Sequence, residues 1–220
     1  MQIGLLGATG PAGSALAVRL ASVGYEVVIG SRSKYRALEV ADRLKDRWPD
    51  HELPITSSDN AGAAGADLVV IATPWDAAAE TAASVAGQLQ SKVVVCMSNA
   101  LSRVGREFQP LVPPRGSVAA SVQAAVPRSQ VAAALHHVPA RELGDLSEPV
   151  HSDVLICSDH PLATERTTEI VSKIPGVRPL DAGELSNAAP IEAFAAVLLQ
   201  LNVRYKTRVA VRFTGLGDSE

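Results

Sequence analysis

Aromatic side chains are scarce in this chain, at 4% of 220 residues. Its core must therefore be built from Ala, Val, Leu and Ile, within a hydrophobic content of 47% that is too high for a disordered chain. Cysteine is nearly absent. Cys96 and Cys157 stand far apart, each inside an apolar run, which fits two buried, reduced thiols in a cytoplasmic protein and not a disulfide framework. No apolar stretch reaches the length of a membrane span, and the opening MQIGLLGATG lacks the basic head and long apolar core of a signal peptide. A surplus of positive charge is also missing. Twenty Lys and Arg face 23 Asp and Glu, a formal net charge of −3, which excludes a nucleic-acid protein that relies on bulk charge. No His-x-His or His-x-x-x-His spacing occurs, so no metal site is expected.

What is present is alternation. Residues 2–6 are a short apolar run ending at Gly7, and residues 13–23 place Leu16, Ala17 and Leu20 at helical spacing before Gly24. YEVVIG then reads as a strand and Lys34 to Trp48 as a helix. ADLVVIAT (66–73) is apolar throughout, as a strand covered on both faces must be. A helix over 76–90, a strand over 92–98, a short helix over 117–124 and a strand over 130–137 follow. After Ser147 the texture changes. SDVLICSD reads as a strand, and PLATERTTEIVSKI as a helix opened by Pro161. PGVRPLDAG reads as turn, residues 184–206 as a longer helix, TRVAVRFTG as a closing strand and LGDSE as a frayed tail. The order predicts an α/β fold: a Rossmann-type, doubly wound parallel sheet over 1–147, with a small C-terminal α/β part over 148–220.

Glycine is concentrated between the first strand and first helix, in GLLGATGPAG. Gly7, Gly10 and Gly13 fit the register G-x-x-G-x-x-G. The stricter dinucleotide fingerprint would need a second glycine at Thr9 and finds an allowed alanine at Ala12. A glycine-rich turn at this place lets backbone N–H groups approach a pyrophosphate, helped by the partial charge of the helix N-terminus. The end of the second strand indicates which dinucleotide. An NAD protein usually places an acid there. This chain has Ser31-Arg32-Ser33-Lys34-Tyr35-Arg36, a hydroxyl and cations suited to a 2′-phosphate, with Arg32 also able to stack on adenine. The predicted cofactor is NADP. GATGPAG also occurs in extended short-chain dehydrogenases, which need Tyr-x-x-x-Lys. Tyr25, Tyr35 and Tyr205 are followed four residues later by Ile29, Glu39 and Val209, so that chemistry is absent.

Further landmarks are Ala72-Thr73-Pro74-Trp75, Ala134-Leu135-His136-His137-Val138-Pro139-Ala140 and the segment from Arg178 to Asn187. Together with GATGPAG and GSRSKYR they resemble the NADPH-dependent coenzyme F420 reductase family over nearly the whole chain. The same fold serves as the flavin-reducing domain of some membrane metalloreductases, so an NADPH-dependent flavin or metal reductase stands as an alternative, beside a non-catalytic NADP-binding redox sensor. The resemblance implies hydride transfer between NADP(H) and the deazaflavin F420, with no protein nucleophile and no metal. It implies pyrophosphate contacts from Gly7, Thr9, Gly10, Pro11 and Ala12, and 2′-phosphate contacts from Ser31, Arg32 and Arg36. Thr73 and Trp75 would flank the adenine-ribose side or the middle of the cofactor. Asn99, Leu101 and Ala140 would line the nicotinamide pocket, and the deazaflavin would dock against the C-terminal part.

His136 and His137 end a predicted strand aimed at that cleft. Strand alternation would turn one of them away, and the other could contact cofactor or relay a proton. The apolar run near 190–203 exceeds what a small domain needs, so a homodimer through it is expected. The remaining partners are small molecules, with neither nucleic acid nor membrane among them.

Overall fold

The computed structural model describes residues 1–216, and the last four residues of the LGDSE tail lie outside them. Strand β1 (Gln2–Leu6) stops at Gly7, whose φ of +69° favours glycine. Helix α1 (Pro11–Ser22) starts with Gly10 as N-cap and proline in its first turn, and Gly24 at φ +91° turns the chain into β2 (Glu26–Ser31). Helix α2 (Lys34–Arg47) is capped by the Ser33 hydroxyl, which accepts from the Arg36 N–H. The chain continues through β3 (Ile55–Asp59), the short α3 (Asn60–Ala63), β4 (Leu68–Ile71), α4 (Trp75–Ser84), α5 (Ala86–Leu89) and β5 (Val93–Cys96). A hairpin of β6 (Leu101–Val104) and β7 (Glu107–Pro110) precedes α6 (Val118–Ala125), β8 (Gln130–Ala133) and the one-turn α7 (Ala140–Leu143). Last come β9 (Ser152–Ser158), α8 (Pro161–Ser172), β10 (Val177–Asp181), a 3-10 turn at Leu185–Asn187 and α9 (Ala188–Tyr205).

The main sheet has eight strands in the order β10-β9-β8-β5-β4-β1-β2-β3. Strands β1 to β5 and β8 pair in parallel, β9 runs antiparallel to β8, and β10 is parallel to β9. The order reverses at β1, which leaves a crevice at the C-terminal ends of β1 and β4, the usual ligand position in such sheets. Both faces are covered. Ile3, Leu5, Leu68 and Val70 belong to one apolar cluster with α1 and α8, while Leu6, Val69 and Ile71 belong to another with α4 and α6. Both cysteines are free and buried.

The sheet is thus mostly parallel, and it crosses the 147/148 position without a break. Four strands escape the sequence reading: β3, β6, β7 and β10. They are short and polar, and β10 carries Pro179 at a sheet edge, where the missing N–H costs nothing. The helix expected over 76–90 divides at Val85. The closing strand expected over 207–215 does not form, although its alternation is real. Val211 is buried, but the backbone around it is tied to a single residue of β9: the Asp153 N–H donates to the Val211 carbonyl and the Phe213 N–H to the Asp153 carboxylate.

Helix α9 is seated by a buried carboxylate. Glu192 accepts from the N–H groups of Val118 (2.8 Å) and Ala119 (3.0 Å) at the start of α6. Burial pushes its pKa from 4.5 to about 7 against these two hydrogen bonds. The folded protein therefore holds a proton that the unfolded chain has released, and Glu192's contribution is lost as pH rises from about 4.5 through 7. Buried His136 works the other way. Its pKa falls from 6.5 to about 3, so stability rises across that interval. The difference between wild type and Glu192→Gln isolates the first effect. The variant is expected to gain about 2–3 kcal/mol on wild type between pH 5 and pH 7.5, read from urea midpoints.

Candidate functional site

The residues singled out in the sequence all fall at the C-terminal ends of adjacent strands. Arg32 and Arg36 follow β2, the glycine turn follows β1, Thr73 and Trp75 follow β4, Asn99 and Leu101 follow β5, and His136, His137 and Ala140 follow β8.

At the β2 corner Ser31 is buried, and its hydroxyl accepts from the Ser33 N–H. Lys34 is engaged by Asp59 at the end of β3, 3.1 Å away. Asp59 also caps α3 through the Gly62 N–H, and that bond, followed by Lys34, holds its pKa below the usual value. Sequence reading missed this acid, because the edge strand that carries it is polar. Lys34 offsets its charge, which leaves Arg32 and Arg36 exposed and without an ion pair among the described residues. Two unpaired guanidinium groups at a helix start oppose the helix dipole. An anion there would remove that conflict.

The glycines of the turn differ in what they answer to. A side chain on Gly7 would lie 2.3 Å from Thr73 Cγ2, and one on Gly13 would lie 2.6 Å from Ala8 Cα. Those two are needed for packing. Gly10 has nothing within 4 Å of a Cβ position, so the protein itself does not require glycine there. The Gly7 N–H donates to Asn60 Oδ1 at 3.2 Å, which fixes the start of the turn. Pro11 offers no N–H, so donors come from its neighbours.

Further along, Ser98 donates to the Thr73 carbonyl at 2.7 Å. The Thr73 hydroxyl itself is buried without a partner. Asn99 Nδ2 donates to the His136 carbonyl (2.7 Å), and Asn99 Oδ1 takes the proton of His136 Nδ1 (3.1 Å). His136 Nε2 is then a bare lone pair, buried and unpaired. His137 Nε2 donates to the Asp153 carbonyl at 2.8 Å, and its Nδ1 is likewise unpaired. The expected alternation fails. Leu135 adopts φ +65° and ends the strand at Ala133, so both histidines are buried, at 4% and 5% exposure. His136 is held neutral. Burial, reinforced by neighbouring His137, depresses its pKa to about 3 and keeps it neutral at working pH. Its free nitrogen, Nε2, can only accept a hydrogen bond. Burial lowers His137 too.

Trp75 opens α4 and packs on the cluster beneath it, while Leu101 begins the β6–β7 hairpin and Ala140 begins α7. The hairpin leans on α9, with the Phe108 N–H donating to Gln200 Oε1. Beyond α9 the chain passes back over this edge, and Arg208 pairs with Glu142 of α7.

The arrangement is an edge lined with unmet hydrogen-bonding groups, cationic at one end and neutral at the other. Residues 2–100 match the family model described as NADP oxidoreductase coenzyme F420-dependent. The F420-dependent NADP reductase of Methanothermobacter thermautotrophicus is 35% identical, covering 100% of this chain and 97% of that protein. The enzyme of the same name from Methanocaldococcus jannaschii is 34% identical over 98% and 99%. A solved Arthrobacter structure, named as a candidate F420-dependent NADP reductase, superposes with a TM-score of 0.81 at 24% identity, covering 97% of this chain and 100% of that one; it supports the fold. With identity above 30% across essentially the full length of these relatives, the chain belongs to the family of F420-dependent NADP reductases.

Proposed function

We propose that this protein is an oxidoreductase that moves a hydride between NADP(H) and coenzyme F420. The observation that carries this reading is the row of unmet groups along one sheet edge: Arg32 and Arg36, then the open Gly10 turn, then Thr73, His136 and His137. The two bound cofactors supply the chemistry, a hydride passing between the nicotinamide C4 and the deazaflavin C5.

The chain's own work is to bind, orient and exclude water. Ser31, Arg32 and Arg36 hold the 2′-phosphate. Gly7, Thr9, Gly10 and Ala12 provide backbone room and donors for the pyrophosphate, and Pro11 fixes the first turn. Thr73 and Trp75 flank the middle of the dinucleotide. Asn99, Leu101, His136 and Ala140 line the nicotinamide pocket, where the neutral His136 Nε2 accepts from an amide N–H. Residues 148–220 complete the deazaflavin cleft beside the NADP-binding part, residues 1–147. No helix among the described residues is long and apolar enough to cross a membrane; the two free, buried thiols support a cytoplasmic site of action. Exposed Phe194 and Val197 on α9 support a homodimer through that helix. Sedimentation as a 22.9 kDa species would remove the dimer.

The decisive experiment mixes protein, NADPH and oxidised F420 and follows the deazaflavin band at about 420 nm. Bleaching in proportion to NADPH consumed is expected. Reduction of FMN with the F420 band unchanged would overturn the assignment and make the protein a flavin reductase.

A further inference from the structure

Asp153, at the start of β9, is completely buried, and four donors converge on its carboxylate. Arg178 Nε and Nη2 lie 2.9 and 2.7 Å from Oδ1 and Oδ2, Arg212 Nη1 lies 3.0 Å from Oδ1, and the Phe213 N–H lies 2.6 Å from Oδ2. These donors hold its pKa down despite burial, which acts to raise it. The backbone of the same residue is engaged on both sides. Its N–H donates to the Val211 carbonyl at 2.7 Å, and its carbonyl accepts from His137 Nε2 at 2.8 Å. Strands β8 and β9 pair antiparallel (Ala132 opposite Ser158, Ala133 opposite Cys157), and the turn after β8 brings His137 to Asp153. Asp153 therefore stands between the C-terminal segment and the histidine pair. Arg212 Nη2 also donates to the Gly176 carbonyl, and Arg178 Nη2 to the Phe213 carbonyl.

We propose that residues 209–213 are a strap that positions the hydride site: by holding Asp153 in place, it fixes the carbonyl that sets the tautomer and ring orientation of His137. Asp153 and Arg212 are then positioning residues for a reaction they do not touch. A buried carboxylate with this many donors is over-determined for anchoring a chain end, since removing one donor leaves a charge still mostly paired. What the arrangement does fix is the backbone at residue 153, and through it an imidazole whose other nitrogen, Nδ1, is buried without a partner. The inference rests on the hydride-transfer reading for its kinetic consequence only, and its structural half stands by itself.

The test uses the full chain with Arg212→Ala, Phe213→Pro and the double variant. Each single change removes one donor to Asp153 and leaves Arg178. Arg212→Lys is the conservative control. Two-bond proton–nitrogen correlation on histidine-labelled protein reads the ring tautomers, with His137→Gln identifying the signal. Wild type is expected to show a single Nε2–H tautomer at His137. In the double variant that signal should become a mixture of tautomers, with kcat down about ten-fold and KM for NADPH within about two-fold, and Arg212→Lys in place of Arg212→Ala beside Phe213→Pro should restore most of kcat. If amide exchange shows the strap released while His137 keeps one Nε2–H tautomer, the proposal is wrong. Should wild type fail to reduce F420, the functional reading falls, and the tautomer measurement still decides the strap.

Discussion

Arg32→Ala is expected to raise the KM for NADPH by about 10- to 100-fold while the KM for NADH stays within about two-fold, because the lost interaction is a charge-assisted contact to a group only NADPH carries. The exposed guanidinium has no ion pair among the described residues that would have to break first. Its removal should therefore leave the melting temperature unchanged, which separates binding from folding. Arg36→Ala should act in the same direction with a smaller effect. Lys34→Ala should act differently, since it uncovers the Asp59 carboxylate and adds repulsion to the corner as well as removing a cation. Steady-state kinetics with both nucleotides provide the check, at fixed ionic strength because exposed charges are screened. An equal loss for NADH and NADPH would mean that Arg32 acts on something other than the 2′-phosphate.

Gly10→Val should abolish binding of both nucleotides, with affinity falling more than about 100-fold, and should cost the fold almost nothing. Gly10 has backbone angles that any residue accepts, φ −85° and ψ 171°, and open space where the side chain would go. A branched side chain there would occupy the volume a pyrophosphate needs and hide the N–H groups at the start of α1. Gly13→Ala makes the opposite prediction. Its methyl would sit 2.6 Å from Ala8 Cα and 2.9 Å from Ala8 Cβ, so α1 must move away from the turn, at about 1–3 kcal/mol in stability. Calorimetric titration and thermal melts on the pair give the contrast. If Gly10→Val still binds NADPH, the turn is not the pyrophosphate cradle.

Most of the sheet was legible because its central strands are buried on both faces and carry unbroken apolar runs, as in LVVI and VVVC. The site was legible for a related reason: in a parallel sheet, the end of each apolar run marks the edge where ligands bind. Illegible elements lack that signature. The hairpin LSRV–EFQP is largely exposed and held by its own pairing and by Gln200, a partner 92 residues from Phe108 that no local pattern announces. The strand VRPLD holds its place through pairing with β9, and its proline mimics a turn. The residues 207–215 mislead in the other direction, because their alternation reflects one buried side chain and a carboxylate anchor, not a ladder. At the histidines, a single residue in the left-handed region, Leu135, cancels the two-residue period. Neither the Asp153 cluster nor the Asn99–His136 exchange is visible in spacing, since both join chain segments brought together only by the sheet order.

The unbroken eight-stranded sheet bears on how such a catalyst can move. Two lobes joined by a linker can swing shut on their ligands, whereas here β8 and β9 pair directly, Ala132 with Ser158 and Ala133 with Cys157. The part of the chain after residue 147 is thereby tied by backbone pairing to the same sheet that carries the glycine turn and the two guanidinium groups.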